Sequence, residues 1–140
     1  DSRRNPMVAM TQDMQEMVSN NLCYIATVDE NGYPDIGPKI SMQVKDDSHL
    51  FYYERTARQH LHNLRDNGTM VVAVASKDNK RGYRFHGPVE LVDSGDFYEE
   101  ALKYADGHGL KRPAVVPVMT VTRIDLLDAG PKAGTIIAQD

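Results

Sequence analysis

The sequence predicts a mainly β domain: an antiparallel barrel, closed or partly closed on itself, with a few helices on its periphery. Three observations carry this. Short apolar runs of strand character recur along the chain, Asn31-Gly32 and Asp46-Asp47-Ser48 offer tight reversals between neighbouring runs, and helical periodicity surfaces in only three places. A doubly wound sheet would need strands and helices to alternate, and here they do not.

Each element has its own signal. Thr11 can cap a first helix that places Met14, Met17 and Val18 on one face, where methionines serve as adaptable core filler. The run Leu22-Cys23-Tyr24-Ile25-Ala26-Thr27-Val28 is apolar on both faces, as a strand inside a barrel would be. Asp29-Glu30-Asn31-Gly32 then turns the chain, because Asn-Gly tolerates positive φ. A second strand enters from Asp35 and runs through Gly37 to Val44, with Lys39, Ser41 and Gln43 alternating with Ile40, Met42 and Val44. The third strand, Leu50-Phe51-Tyr52-Tyr53, is aromatic and empties into Glu54-Arg55-Thr56-Ala57-Arg58-Gln59, read as the opening of a helix that carries Leu61, Leu64 and Arg65 and stops at Asn67-Gly68. Met70 to Ala75 has the character of a central strand and Tyr83 to Leu91 that of a half-buried one. Asp93-Ser94 starts a third helix that turns Phe97, Ala101 and Leu102 toward the body and ends in Gly107 and Gly109. The last strand, Ala114 to Ile124, contains Pro117, which calls for an edge or a bulge. No repeat, low-complexity tract or linker divides these elements, so residues 1–140 form a single domain.

Composition excludes several function classes. The chain has 140 residues, 41% of them hydrophobic, which suffices for one respectable core. A formal charge of -4 with dispersed basic residues disfavours nonspecific nucleic-acid binding, which depends on clustered Lys and Arg. No apolar stretch approaches the roughly 20 residues of a membrane span, and no apolar signal region follows Asp1-Ser2-Arg3-Arg4. The lone Cys23 cannot form an internal disulfide and reads as a small buried hydrophobe, in keeping with a cytoplasmic protein. His60 and His62 stand two apart on a helix and cannot share a face, and His49, His86 and His108 are scattered, so no metal site is expected.

One segment asks for a ligand. A strand that ends on Arg55-Thr56-x-Arg58 at a helix start brings hydroxyl, guanidinium and free backbone N–H groups to one spot, and that combination suits a phosphate. An Arg pair at a helix N-terminus also opposes the helix dipole, which an anionic ligand would relieve.

These residues resemble the pyridoxamine 5'-phosphate oxidase-like, FMN-binding split-barrel family, most closely its small single-domain flavin-binding members. The resemblance runs from the first helix to about Ile124. It rests on the hairpin Tyr24 to Pro34, the strand-to-helix element Phe51 to Gln59 leading to Asn63-Leu64-Arg65-Asp66-Asn67, and Gly82-Tyr83-Arg84-Phe85-His86-Gly87. It implies a six-stranded antiparallel Greek-key split barrel with peripheral helices. It also implies FMN as cofactor, with the isoalloxazine edge along Pro38, Lys39, Ile40 and Ser41 and the ribityl phosphate at Tyr53, Glu54, Arg55, Thr56, Arg58 and Gln59. A Lys common near Gln59 in the family is absent, which leaves Arg55 and Arg58 as the nearby charges. The family's pyridoxamine phosphate oxidases read their substrate with a basic, aromatic C-terminal segment. The segment from Leu126 to Ile137 has no Arg, Trp or His, so vitamin B6 oxidation is not expected.

No nucleophile–base pair or paired carboxylates are legible, so chemistry would come from the cofactor. The leading expectation is an FMN-dependent oxidoreductase that passes electrons from NAD(P)H or another donor to a small organic acceptor. The alternatives are a non-enzymatic FMN electron carrier or flavin-storage protein, and a member in which haem or a deazaflavin replaces FMN. Without a GxGxxG fingerprint, a nicotinamide would be a transient substrate. The resemblance further implies a homodimer with the flavin at the interface, with Arg81, Tyr83 and Pro131 to Gly134 as contributions from the second subunit. The Gly130 to Gly134 loop is expected to shape the acceptor side, with Thr135-Ile136-Ile137 tied to the barrel.

Overall fold

In the computed structural model, which describes residues 8–140, three helices and nine strands follow in the order α1 (Gln12–Asn20), β1 (Cys23–Val28), β2 (Pro34–Lys39), β3 (Gln43–Asp46), β4 (His49–Phe51), α2 (Gln59–Asn67), β5 (Thr69–Ser76), β6 (Arg81–Val92), α3 (Asp96–Gly107), β7 (Val116–Thr120), β8 (Arg123–Leu126) and β9 (Ile136–Gln139). Seven of them pair as β2-β1-β5-β6-β7-β4-β3, while β8 pairs with β6 and carries β9. The path begins on β2 and ends on β3, which are consecutive in the chain. The sheet therefore curls until its two end strands meet at the turn Ile40–Met42, with no ladder between them among the described residues. That open seam makes the barrel a split one.

Strand β6 belongs to both halves. It pairs with β5 from Arg81 to Pro88 and with β8 from Tyr83 to His86, and beyond Gly87 it pairs with β7 from Val89 to Val92. Strands β7 and β8 are one run interrupted at Val121-Thr122, and the register against β6 slips by one residue across the interruption. Gly87 sits at the slip. A Cβ there would lie 1.7 Å from the carbonyl oxygen of Thr120, so only glycine lets the two backbones approach this closely.

Between the halves lies a core built on Ile25, Leu50, Tyr52, Val72, Phe85, Met119 and Ile124, closed on one side by Met14, Met17 and Val18 of α1. The Thr11 cap forms, with its Oγ1 accepting from the Met14 N–H at 3.3 Å. A smaller cluster of Phe51, Ala101, Val116 and Val118 seats α3. Cys23 is buried in this core, and desolvation pushes its thiol up to about 12, so it is inert at neutral pH.

The fold class is the one the sequence predicts, but the strand count is higher than six. The run Gly37 to Val44 breaks at the seam into β2 and β3, the run Ala114 to Ile124 breaks at the slip into β7 and β8, and the C-terminal segment adds β9. The second helix begins at Gln59 and not near Glu54, because Glu54 still bridges to Val115 as an extension of β4. The third helix is preceded by Gly95, with no side-chain cap from Asp93 or Ser94. Pro117 is in a strand paired on both sides. Its missing N–H falls where the β4 ladder has just ended, and the Tyr52 N–H still reaches the Pro117 carbonyl at 3.4 Å. Strand β1 is buried on one face only: Tyr24 and Ala26 point outward, next to Ile36, which is 70% exposed. No described helix is long and apolar enough to cross a membrane.

Replacing Gly87 by Ala should cost about 3 kcal/mol or more, because the clash is with backbone and a side chain cannot swing away. Urea unfolding of the variant checks this, and Gly107→Ala, with nothing within 4 Å of the added atom, is the control.

Candidate functional site at the open seam

The seam leaves a cleft of about 560 Å³ between the Ile40–Val44 segment, Tyr53, Arg55, Tyr104, Leu110 and Ser19. Its two walls are tied by the β3–β4 ladder and, beyond it, by the Tyr53 N–H donating to Ser41 Oγ at 3.0 Å. Aromatic rings form one side: Tyr53 lies 5.5 Å from Tyr104, which stacks on His108 at 4.0 Å. Ile40, 92% exposed, stands at the mouth. The Arg55 guanidinium lies 5.6 Å from the Tyr53 ring centre, and its Nε is buried without an acceptor among the described residues. A buried guanidinium N–H without a partner carries an unmet desolvation cost that an anion or a ring oxygen would relieve.

Beside the cleft, the turn after Glu54 runs through Ala57 at φ +52°, a left-handed conformation that costs a non-glycine residue energy. It delivers the chain to α2, whose N-cap Arg58 makes no side-chain capping bond. The helix thus offers its first N–H groups uncapped, with Thr56 and Arg58 exposed around them. A directional chain holds this end in place. Gln59 Nε2 donates to Asn63 Oδ1 at 2.7 Å, Asn63 Nδ2 donates to Thr27 Oγ1 at 3.0 Å, and Thr27 Oγ1 lies 2.7 Å from His60 Nδ1. On the other side of the ring, His60 Nε2 lies 3.8 Å from Asp35 Oδ2, so the imidazole bridges Thr27 and Asp35. Burial, opposed by Asp35, sets the His60 pKa below its ordinary value.

The residues singled out in the sequence thus divide. Ile40, Ser41, Tyr53 and Arg55 line one cleft, Thr56 and Arg58 lie on the turn that follows, Gln59 opens α2 and borders a separate cleft with Asp35 and Asn63, and Pro38 is exposed at the end of β2. Lys39 and Glu54 turn the other way. Lys39 Nζ lies 3.4 Å from Glu54 Oε2 and 5.0 Å from the Tyr52 ring centre, while Glu54 is 1% exposed and its second oxygen has no partner among the described residues. The alternation of β4 and its extension explains the division, since Tyr53 and Arg55 share one face and Tyr52 and Glu54 the other. Tyr52 is neutral, its phenol driven up by burial and then by the Glu54 charge. Sequence reading missed Tyr104 and Leu110, which α3 and its following loop carry to the cleft; nothing in their local pattern marks them. Arg81 and Tyr83 are engaged within their own chain. Arg81 and the Tyr83 hydroxyl both hold Asp13, whose carboxyl they lower to about 2, and Arg81 also faces Asp128.

Residues 10–128 match the sequence model of the family described as pyridoxamine 5'-phosphate oxidase. The chain belongs to the pyridoxamine 5'-phosphate oxidase-like, FMN-binding split-barrel family. Within it, HupZ of Group A Streptococcus is 40% identical, with 89% of this chain and 99% of that one covered and a TM-score of 0.80. A candidate pyridoxamine 5'-phosphate oxidase from Lactobacillus delbrueckii is 28% identical over 83% of this chain and 93% of its own, with a TM-score of 0.73. The uncharacterised protein MJ0282 of Methanocaldococcus jannaschii is 27% identical, covering 96% of this chain and 91% of that protein.

Removing Lys39 alone leaves Glu54 as a buried, unpaired charge. Lys39→Met should therefore cost about 3 kcal/mol at neutral pH, and adding Glu54→Gln should recover most of it. Urea unfolding of the single and double variants tests the pair, and equal stability of both would remove it from the fold's support.

Proposed function

We propose that this chain is an FMN-dependent oxidoreductase that takes electrons from NAD(P)H or another donor and passes them to a small organic acceptor. The observation that carries the reading is the seam cleft itself, an aromatic slot with a buried, unpartnered Arg55 Nε next to the uncapped start of α2. The donor set fits FMN: a planar ring suits the wall of Tyr53 and Tyr104, and a phosphate suits Arg55, Arg58, Thr56 and the first N–H groups of the helix. Bound FMN supplies the electron transfer, and the protein supplies position and electrostatics.

In this reading Ser41 and the backbone of Ile40 orient the ring edge and Ile40 keeps water from the mouth. The fixed network from Gln59 to Asp35 holds the phosphate turn rigid. Lys39 is neutralised by Glu54 on the other face of the strand and makes no direct contact with the ring. Among the described residues the lining contains no carboxylate or histidine, so a proton needed by an acceptor would come from solvent or from the acceptor's own side of the cleft.

The proposal includes a homodimer. Leu22, Tyr24, Tyr33, Ile36 and Ile40 are all large, apolar and exposed, and Ile36 lies opposite Ala26, two residues along β1 from Tyr24. Two copies that bury these residues against each other would bring both seam mouths to the shared surface. The Pro131–Gly134 turn precedes β9, which is tied to β8. That leaves the turn free to border the acceptor side.

The purified protein should hold FMN noncovalently and prefer it to riboflavin. Arg55→Ala should weaken FMN by about ten- to one-hundred-fold in a fluorescence titration, with riboflavin little changed, since a charge-assisted phosphate contact is worth about 1.5–3 kcal/mol. Bleaching of the flavin bands by NADH or NADPH separates enzyme from carrier, and haem or deazaflavin bands in the fresh protein would overturn the cofactor. Light scattering should give the mass of a dimer, and Ile36→Asp should shift it to monomer; a flavin-loaded monomer at micromolar concentration refutes the shared interface.

A further inference from the structure

A cluster on the outer face of the sheet plays no part in the seam. Asp125 of β8 is fully buried and accepts from Arg84 Nε at 2.7 Å, His86 Nε2 at 2.7 Å, Arg123 Nε at 2.8 Å and Arg123 Nη2 at 3.3 Å. Both arginines thus spend their Nε edge on one carboxylate. The Nη groups of Arg84 and Nη1 of Arg123 have no acceptor among the described residues, and both side chains are about one-third exposed. One carboxylate against two guanidiniums leaves a positive charge uncompensated before His86 is counted. Although burial works against it, the three donors together hold the Asp125 carboxyl down at about 2. An ionised carboxylate can only accept, so His86 presents Nε2–H to it and keeps Nδ1 open.

His86 also borders a second cleft, of about 370 Å³, whose other walls are largely apolar: Ala26, Val28, Pro34, Val71 and Pro88 among them. Apart from His86 no ionisable side chain lines it. Register makes the two features one surface. Ala26 pairs with Val71, Val71 with His86, and His86 with Arg123, so a straight cross-strand row passes from apolar to cationic. With strands about 4.8 Å apart, the His86 backbone stands one strand and the Arg123 backbone two strands from Val71, about 5 and 10 Å along that row.

We propose that this surface is a second binding site, taking a small carboxylate with an apolar body: the body sits in the cleft over Ala26 and Val71 and the carboxylate meets Arg84 and Arg123. Asp125 is a positioning residue that aims the two guanidinium forks, and it has no lone pair to spare for the ligand. A bare staple of β8 to β6 would need neither two arginines with open ends nor an apolar cleft beside them. Bidentate Arg–carboxylate pairing supplies the discrimination against neutral analogues, and the spacing favours an arylalkanoate over a simple acetate. The site shares no residue with the seam cleft, and its apolar half borders the proposed dimer contact, because Ile36 is the cross-strand partner of Ala26.

The test is titration of the full chain, in whatever assembly it forms, with 3-phenylpropionate and its neutral analogue 3-phenylpropan-1-ol, read by calorimetry and by amide shifts in NMR. The carboxylate should bind at least tenfold more tightly than the alcohol, with shifts centred on His86, Val71 and Arg123. Arg84→Gln with Arg123→Gln should abolish that preference. Because this variant could unfold, Ala26→Phe, which fills the cleft and leaves Asp125 and its donors untouched, should abolish binding of both probes with the melting temperature retained. Equal affinity for the two probes, binding that survives Ala26→Phe, shifts centred elsewhere, or no saturation by about 10 mM, where a site would be weaker than any useful affinity, overturns the proposal.

Discussion

One strand has to serve two sheets, and most of the architecture follows from how β6 does it. Its first half needs β5 on one edge and β8 on the other, and its last four residues need β7. A continuous ladder would keep β7 and β8 in one register and flatten the sheet. The slip at Val121-Thr122 lets the second half turn away, and this is possible only because Gly87 has no side chain to strike Thr120. The turn encloses the core of Phe85, Ile124 and Met119 and sends β7, β4 and β3 round toward β2. A site at the seam therefore depends on a backbone contact on the far side of the barrel.

The seam is where the barrel stops short of closing. Strands β2 and β3 are joined by a turn, and each keeps an unpaired edge toward the other, so polar backbone and a deep cleft meet at one place. The chain manages the buried charge there by sorting it. Glu54 and Lys39 neutralise each other on the inner face, while Arg55, one residue further, faces the cleft with nothing among the described residues to neutralise it. Alternation along an extended segment is enough to separate a structural ion pair from a guanidinium with no counter-charge among the described residues.

The outer face shows the same economy. Across the rows set by β2, β1, β5, β6 and β8, apolar residues occupy one half and the Asp125 cluster the other. An apolar sheet face of this kind rarely stays in water. A fully buried carboxylate on it is tolerable because four donor contacts, three of them at 2.7–2.8 Å, repay its desolvation.

Local chemistry made much of this chain legible. The Thr11 cap, the Asn31-Gly32 turn with Gly32 at φ +79°, and the stop at Gly68 with φ +72° are set by groups within a few residues of one another, and each forms as the sequence reads. So does the clustering of Arg55, Thr56 and Arg58 after an aromatic strand, because these residues are neighbours in the chain. What the sequence could not decide is anything that needs a partner from far away. The breaks in the two long strands come from barrel closure, not from a turn signal. Lys39 faces Glu54 because the curl brings β2 beside the end of β4, and Tyr104 reaches the cleft because α3 packs on Phe51 and Val118. His86 reads as one scattered histidine among five until β8 pairs with β6 and sets Asp125 against it. The sequence by itself determined the class of fold and the chemistry of the turn, since both rest on short-range periodicity and capping. Which charges are paired, which are left open and which face each occupies were decided only by the tertiary structure, because register between distant strands is set by the whole core and by no single segment of it.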